Sequence, residues 1–505
     1  MENRKNIKLI SFTLFFIYLF VIANTYFRGP DEPIYLNYTV SVVEDGDLNI
    51  INQLYSSGGN FKVSKSFNFP DLHNHGGIIL WIPFYSYGKF IYYLMEEFNV
   101  LSLVNLSESR VIEFAMSLST IIFGVLTILF TFFLCRRFFN FRVSMFSILA
   151  IFFGTPVFYY TLFEVGNANL IAALFSVISV LFFMFVIDKN KGYWFLYGLF
   201  FSICSVIKVD LWFQIFFISF VCLIYIFYKN LSWRNVLYLL LGFLPIFSLR
   251  MVNDYLKYGS LYIGELGIMN LKEFYLFEQL FSSNQGFFYV SPIFYICFLG
   301  FILIVINILK NIKFLQLANK KDDIFIFGLA LYLIVKIIIM GYRDTWFGGT
   351  FGARLLLTEF PVIVLLYAIV WSKSKRISGK IFLAIASILC VFWNIHEAGL
   401  YISRLDAGEY FSDSLIYEKL DSLRHIIMLL LNPKDLIIKL IIWLPLILLG
   451  LGIWKYIYGK CKFVSKQTAF KIKSGYFIIF TIYLCIVYIG ITVMNFTNNK
   501  KNVEV

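Results

Sequence analysis

Long apolar runs separated by short basic segments make up most of the sequence. Such runs lie at 7–26, 110–135, 141–160, 168–187, 193–208, 210–228, 234–251, 288–309, 323–341, 355–372, 379–395, 435–458 and 475–495. A helix needs roughly 20 residues to cross about 30 Å of hydrocarbon. The chain is 60% hydrophobic and 14% charged, whereas soluble domains are roughly 45–50% apolar and 25% charged. The sequence therefore predicts an all-α polytopic membrane protein with about 13 transmembrane helices.

A further apolar stretch, 78–94, is interrupted by Pro83, Gly88 and Lys89, and we expect it to lie at the membrane interface. With thirteen spans, every basic loop falls on the cytoplasmic side, as the positive-inside rule requires. A fourteenth span at 78–94 would place all of these loops outside. The predicted topology has a cytoplasmic N-terminus on an uncleaved first helix, an extracytoplasmic C-terminus and a location in the cell inner (cytoplasmic) membrane.

Charge and cysteine content exclude other classes of function. The net charge of +13 comes from loop clusters, so it indicates membrane topology and not a nucleic-acid groove. The seven cysteines are scattered without a Cys-x-x-Cys pair, which argues against a zinc site or a disulfide framework. No pair of broken helices in inverted repeats is evident, which weakens a transporter interpretation.

The longer loops, 27–109, 252–287, 342–354 and 396–434, emerge on the outer face, so the chemistry is expected there. We divide the chain into a membrane module, 1–395, which includes the outer loop 27–109, and a second part, 396–505. This second part would hold an amphipathic surface helix from Ser412 to Leu431 and two C-terminal spans.

Asp31 and Glu32 follow the first apolar run directly and stand between Pro30 and Pro33. Acids in a loop are often only solvated, but burying charge near hydrocarbon is costly and usually functional. A carboxylate at such a low-dielectric boundary tends to have a raised pKa and can act as a general base. It could equally hold a divalent metal ion.

A second acidic position is Glu164, in the outer turn that also contains Asn167 and Asn169. The turn could be ordinary loop chemistry. If it faces the first loop, however, two carboxylates share one cavity and can divide the roles of base and of metal or sugar ligand.

A third segment, 341–354, carries Arg343, Trp346 and Arg354 around a glycine-rich turn. Arginine binds phosphate through two parallel hydrogen bonds, and a tryptophan face suits a sugar or a prenyl group. A tight turn with an interfacial aromatic residue would give the same pattern. Lys208 lies at an outer helix end, where it could bind an anion or merely pair with Asp210.

Taken together, these residues resemble the GT-C superfamily of integral-membrane glycosyltransferases, in particular the protein mannosyltransferase and aminoarabinose transferase-like branch (glycosyltransferase family 39-like). Asp31-Glu32 with Tyr35, Gly76-Gly77 before Leu-Trp-Ile-Pro-Phe-Tyr at 80–85, and Arg110 carry the resemblance in the first part. Later, Trp-Phe-Gly-Gly-Thr-Phe-Gly-Ala-Arg at 346–354 and Asn-Gln-Gly-Phe-Phe-Tyr-Val-Ser-Pro at 284–292 are similar to segments of that group. The Lys-Pro-Pro segment of the aminoarabinose branch is absent, and His75-Gly76-Gly77 stands in its place.

The resemblance implies a GT-C fold and transfer of a monosaccharide from a polyprenyl-phosphate donor on the extracytoplasmic face to a glycan, lipid or protein of the cell envelope. It implies a role for each candidate residue. Asp31 and Glu32 would be catalytic, and Glu164 and Asn167 would form a second acidic, acceptor or metal site. Arg354, Lys208 and Arg343 would bind the donor phosphate, and Tyr35, His75 and Trp346 would form a sugar or lipid cavity. A divalent metal held by Asp31 and Glu164 is an open alternative. No nucleic acid is expected as a partner.

Two other functions remain open from the sequence. A lipid-linked glycan flippase or transporter would need charged residues along a path through the helices, and Lys336 and Lys439 are exceptions close to helix ends. A glycan polymerase or ligase would place its active loop late in the chain, at 396–434, with Arg404 and His425 as the central residues.

Overall fold

The computed structural model describes residues 19–20, 22–25, 32–50, 52–53, 75–101, 106–164, 166–229, 231–258, 273–283, 285–310, 321–343, 351–352, 354–406, 438–445, 448 and 474–503. This part of the chain is helical, and no β-strand occurs in it. The predictions for Asp31, Trp346, His425 and the amphipathic helix 412–431 lie outside the described residues, as does most of the first apolar run. The two-part division at residue 395 stays a prediction.

The first half of the chain contains the described part of the predicted outer loop 27–109, called the outer-loop region, followed by a series of long helices. The outer-loop region holds α1 (Glu32–Val40), a π-helical turn (Ser41–Asp45), a 3-10 turn (His75–Gly77) and α2 (Ile78–Glu97). The helices that follow are α3 (Glu108–Phe138), α4 (Phe141–Gly154), α5 (Val157–Leu162), α6 (Ala168–Val186), α7 (Lys191–Ile207), a 3-10 helix (Val209–Phe213), α8 (Gln214–Lys229) and α9 (Trp233–Tyr258).

The described part of the second half is also helical. Its helices are α10 (Leu276–Phe281), α11 (Phe287–Val290), α12 (Ile293–Lys310), α13 (Lys321–Met340), a 3-10 helix (Arg354–Glu359), α14 (Phe360–Lys373), α15 (Ile377–Asp406) and α16 (Ser474–Val503). Residues 438–445 form a further helical segment.

Seven helices within the described ranges are long and apolar enough to cross a membrane, and four shorter apolar helices accompany them. All of them coincide with runs predicted from hydropathy, which confirms a polytopic membrane protein. The predicted run 141–160 is divided into α4 and α5 at Thr155–Pro156, because proline removes a backbone donor and interrupts the helix. The total of thirteen spans stays a prediction, since the runs 7–26 and 435–458 are described only in part.

Short side chains cap the helices where the sequence turns back. Ser107 caps α3 by accepting a bond from the Arg110 amide at 3.3 Å, and Asn140 caps α4 through the Val143 amide at 3.0 Å. Such caps satisfy amides that the first helical turn cannot pair internally. Short connections favour antiparallel packing of neighbouring helices, an arrangement in which the loops that follow α3, α6 and α8 lie at one end of the bundle.

Glycines allow two of these helices to approach unusually closely. A Cβ on Gly198 of α7 would lie 2.1 Å from the Leu239 carbonyl oxygen, and one on Gly242 of α9 would lie 2.0 Å from the Phe195 carbonyl oxygen. Small residues are the usual means of close backbone contact between membrane helices. This contact holds α7 against α9. Lys208 follows directly after the last residue of α7.

Helix α2, the stretch expected at the interface, is continuous through Pro83 and packs along α3, with Gly88 against Ile112. It is not among the helices that qualify as membrane spans. Whether it lies at the interface or crosses stays a prediction, and so does the orientation of the termini.

Candidate active site

The end of the first apolar run lies directly against the turn that contains Glu164. The Asn24 amide donates to the Leu162 carbonyl oxygen at 2.6 Å, and the Asn24 side-chain amide donates to the Phe163 carbonyl oxygen at 3.0 Å. The described residues that precede Asp31 in sequence therefore end beside the turn that contains Glu164. Whether Asp31 and Glu164 share one cavity stays a prediction.

Arg110 holds this end of the run in place. Its guanidinium donates to the Thr25 carbonyl oxygen at 2.7 Å and to the Thr25 hydroxyl at 2.8 Å. It also pairs with Glu113 at 2.7 Å. From the late segment 438–445, buried Lys439 donates to the Ala23 carbonyl oxygen at 2.7 Å. These bonds satisfy carbonyls at the helix end that have no intrahelical donor, and they fix the described end of the first apolar run.

A buried chain of hydrogen bonds joins Lys208 to Glu164. The Lys208 ammonium donates to Asn169 Oδ1, Asn169 Nδ2 donates to Asn167 Oδ1 at 2.6 Å, and Asn167 Nδ2 donates to Glu164 Oε1 at 2.6 Å. Glu164 is 2% exposed and Lys208 5% exposed. Each amide accepts from the lysine side and donates toward the acid, so both amide dipoles are aligned with the two charges.

The backbone keeps this chain in register. Asn167 caps α6, because its Oδ1 also accepts from the Asn169 amide at 2.8 Å. The Gly166 amide donates to the Thr120 hydroxyl of α3 at 2.7 Å, and Gly166 has a positive φ of 80°, which glycine tolerates best. The acid, the two amides and the lysine are therefore held by α3, α6 and the end of α7 together.

The 3-10 turn His75–Gly77 packs against this group. A Cβ on Gly76 would lie 2.4 Å from the Val206 carbonyl oxygen, and one on Gly77 would lie 3.8 Å from Ile171 Cδ1. Val206 is two residues from Lys208, and Ile171 is two residues from Asn169. The backbone at His75 thus lies near Lys208, although the His75 side chain is outside the description.

Substituting alanine for Gly76 should destabilise the protein by about 1–3 kcal/mol, because the new methyl group overlaps a backbone carbonyl that cannot rotate away. The measurement is the thermal unfolding midpoint in detergent. Gly490→Ala is the control, since nothing lies within 4 Å of a Cβ there. Equal midpoints for the two variants would contradict the close packing of this turn on α7.

The glycine-rich segment approaches the same end of the bundle. The Tyr160 hydroxyl donates to the Phe351 carbonyl oxygen at 2.8 Å. Gly352 has φ 61°, and a Cβ there would lie 2.6 Å from Pro156 Cγ. Arg354, half-buried, begins the 3-10 helix that packs against α6. Arg343 is buried at the end of α13.

A family match covers part of this geometry. Residues 105–251 match the family model described as dolichyl-phosphate-mannose-protein mannosyltransferase. This match supports a membrane glycosyltransferase of the GT-C type. No curated protein matches the chain. The matched stretch runs from the start of α3 into α9, so it includes Glu164, Asn167, Asn169 and Lys208.

Two ion pairs of the protein were not singled out from the sequence. Arg250 and Asp254, four residues apart on α9, pair at 3.3 Å. Lys336 of α13 pairs with Glu359 at 2.9 Å, and both side chains are fully buried. The first pair could have been predicted from the sequence, because opposite charges four residues apart on a helix lie on the same face. The second joins residues 23 apart in sequence, and no local pattern predicts it.

The remaining candidates divide into described and undescribed side chains. Tyr35 is buried and contacts Trp81 with ring centroids 5.0 Å apart, so it packs in the loop region beside α2. Of Glu32 only the backbone, at the start of α1, is described. The residues that the structure describes contain no group of three or more His, Cys, Asp or Glu that could hold a metal, and the metal suggestion stays a prediction.

Lys89 attaches the predicted outer loop to α3. Its ammonium lies 2.6 Å from both Glu44 and Glu108, and Tyr85 donates to Glu44. Partial burial raises the pKa of Glu44, but the hydrogen bonds from Lys89 and Tyr85 outweigh it, so this pKa lies below its ordinary value. Glu44 is thus held ionised, which fixes the loop on the α2–α3 pair at neutral pH.

Proposed function

We propose that this protein is a glycosyltransferase that moves a monosaccharide from a polyprenyl-phosphate donor to a cell-envelope acceptor on the extracytoplasmic face. The observation that supports the proposal best is the buried Lys208–Asn169–Asn167–Glu164 chain, because it lies inside the family-matched stretch and beside the end of the first apolar run. The acceptor can be a glycan, a lipid or a protein.

In the proposed reaction, the bond between the sugar anomeric carbon and the phosphate oxygen breaks while a bond to the acceptor oxygen forms. The polyprenyl phosphate leaves with an additional negative charge, and the acceptor hydroxyl loses a proton. A buried ammonium placed at the phosphate stabilises the developing charge strongly, because water does not screen it there. Lys208 and Arg354 take this role, and Arg343 is a further candidate from the same outer end.

A carboxylate receives the acceptor proton, and Asp31 is the proposed general base. Glu164 is the proposed second acidic group and orients the acceptor or the sugar, since Asn167 and the turn fix its carboxylate. His75 and Trp346 are proposed to line the sugar and lipid cavity, and Tyr35 to support it from the loop. In this proposal the active site lies on the outer side of a cytoplasmic membrane, with the N-terminus inside and the C-terminus outside, as the distribution of basic loops predicts.

The function is tested by incubating the full-length protein in nanodiscs with a panel of radiolabelled polyprenyl-phosphate monosaccharides and measuring sugar release or transfer. Lys208→Met should lower the rate about 10²-fold, as expected for loss of one group that stabilises the leaving-group charge. Lys189→Met, in the loop at the other end of α7, should keep wild-type activity, because that lysine is exposed.

Three other outcomes would each contradict the proposal and favour a different donor or function. Turnover by the wild-type protein with only diphosphate-linked donors would overturn the proposed donor class. Lipid-linked glycan translocation without any sugar transfer would indicate a flippase. Transfer that survives Lys208→Met but is lost on replacing Arg404 or His425 would indicate a polymerase or ligase with its site in the late loop.

A further inference from the structure

Arg250 contacts the chain on both sides of Lys208. Its guanidinium donates to the Ser205 carbonyl oxygen, three residues before the lysine. It also lies over the ring of Trp212, four residues after the lysine, at 5.5 Å from the ring centroid. One side chain of α9 therefore joins the last turn of α7 to the 3-10 helix Val209–Phe213.

Both contacts suit an arginine. Ser205 belongs to the last four residues of α7, whose carbonyls have no donor within the helix. The planar guanidinium can donate to such a carbonyl and still present its face to an indole ring. Lysine offers a compact ammonium without that planar shape, so it cannot reproduce both contacts at once.

The charge of Arg250 is balanced locally. Asp254 pairs with it at 3.3 Å, and both side chains are more than nine-tenths buried. The neighbouring Asn253 points to another helix, because its side-chain amide donates to the Thr492 hydroxyl at 3.0 Å and to the Tyr488 hydroxyl at 3.2 Å. Arg250 thus bonds to α7, whereas Asn253 bonds to α16.

We propose that Arg250 is a positioning residue that sets the place of the Lys208 ammonium. The Lys208 amide donates to the Cys204 carbonyl oxygen at 3.2 Å, and the Leu211 amide donates to the Lys208 carbonyl oxygen at 3.1 Å. The lysine is therefore the hinge between two helical pieces, and Arg250 fixes the angle between them. The functional part of this inference depends on the proposed role of Lys208 at the donor phosphate.

The test uses three variants of the full-length protein in nanodiscs. Arg250→Met with Asp254→Asn removes both charges, so no lone charge is left buried. Arg250→Lys keeps the charge and serves if the double variant does not fold. Asn253→Leu is the matched control, since it removes bonds from the same turn of α9 without touching residues 205–212.

The first readout needs no donor. The rate of reductive methylation of Lys208, followed by mass spectrometry with Lys189 as the internal reference, should rise several-fold in both Arg250 variants and stay unchanged in Asn253→Leu. Unchanged Lys208 labelling in a folded Arg250 variant would overturn the inference, even if the wild-type protein has no activity with any donor.

The second readout separates positioning from support of the fold. Positioning predicts that KM for the lipid-phosphate donor rises about ten-fold in the Arg250 variants, because a small displacement of a binding group weakens its contacts. Loss of folded protein alone would lower the apparent kcat and leave KM unchanged. A KM within two-fold of wild type in folded Arg250→Lys, beside a wild-type enzyme that uses the donor, would refute the functional part of the inference.

Discussion

Asp31→Asn should lower sugar transfer by about 10²–10⁴-fold, the usual contribution of a positioned general base, while membrane insertion and thermal stability remain unchanged. Asparagine has nearly the same shape as aspartate but cannot accept the acceptor proton. The structure describes residues on either side of Asp31 in sequence. Thr25 is held by Arg110, Asn24 by the turn that ends at Glu164, and α1 begins at Glu32.

The matched control for this substitution is Asp45→Asn in the same outer loop. Asp45 is exposed and accepts hydrogen bonds from Asn52 at 2.9 Å and from Gln53, away from the buried chain. Its variant should retain wild-type transfer. If Asp31→Asn also retains full activity with the best donor, Asp31 is not the base, and Glu164→Gln becomes the decisive variant.

The membrane architecture could be predicted from the sequence because it follows from local composition. Each hydropathy run is mainly helical where the structure describes it, since a backbone in hydrocarbon must satisfy its own hydrogen bonds. The boundary at Pro156 was missed because the run 141–160 is apolar on average, although Gly154-Thr155-Pro156 marks an interruption of the helix.

The candidate site was predicted residue by residue but not as an arrangement. Glu164, Asn167 and Lys208 were identified from their positions at helix ends. The link between them depends on Asn169 and on the packing of α6 against α7, which no local pattern shows. Arg250 illustrates the same difficulty, because its effect on Lys208 comes from a contact between helices and not from its neighbours in sequence.

Lys336→Met should lower the free energy of unfolding by about 3–5 kcal/mol, the usual cost of leaving one partner of a buried ion pair alone. Glu359 Oε1 accepts from Lys336 at 2.9 Å, from Tyr332 at 2.5 Å and from Thr358 at 2.8 Å. Removing the lysine leaves a carboxylate without its cation in a site that is 0% exposed. The measurement is unfolding in a mild detergent with increasing SDS, followed by tryptophan fluorescence.

The double variant Lys336→Met/Glu359→Gln should recover most of that loss. A buried pair contributes little net stability once the cost of desolvating both charges is counted, so removing both is far less harmful than removing one. Glutamine also keeps an oxygen that accepts from Tyr332 and Thr358. If the double variant is as unstable as Lys336→Met, the destabilisation comes from lost packing of the lysine stem and not from an uncompensated charge. In that case the ion pair does not hold the 3-10 helix that begins at Arg354.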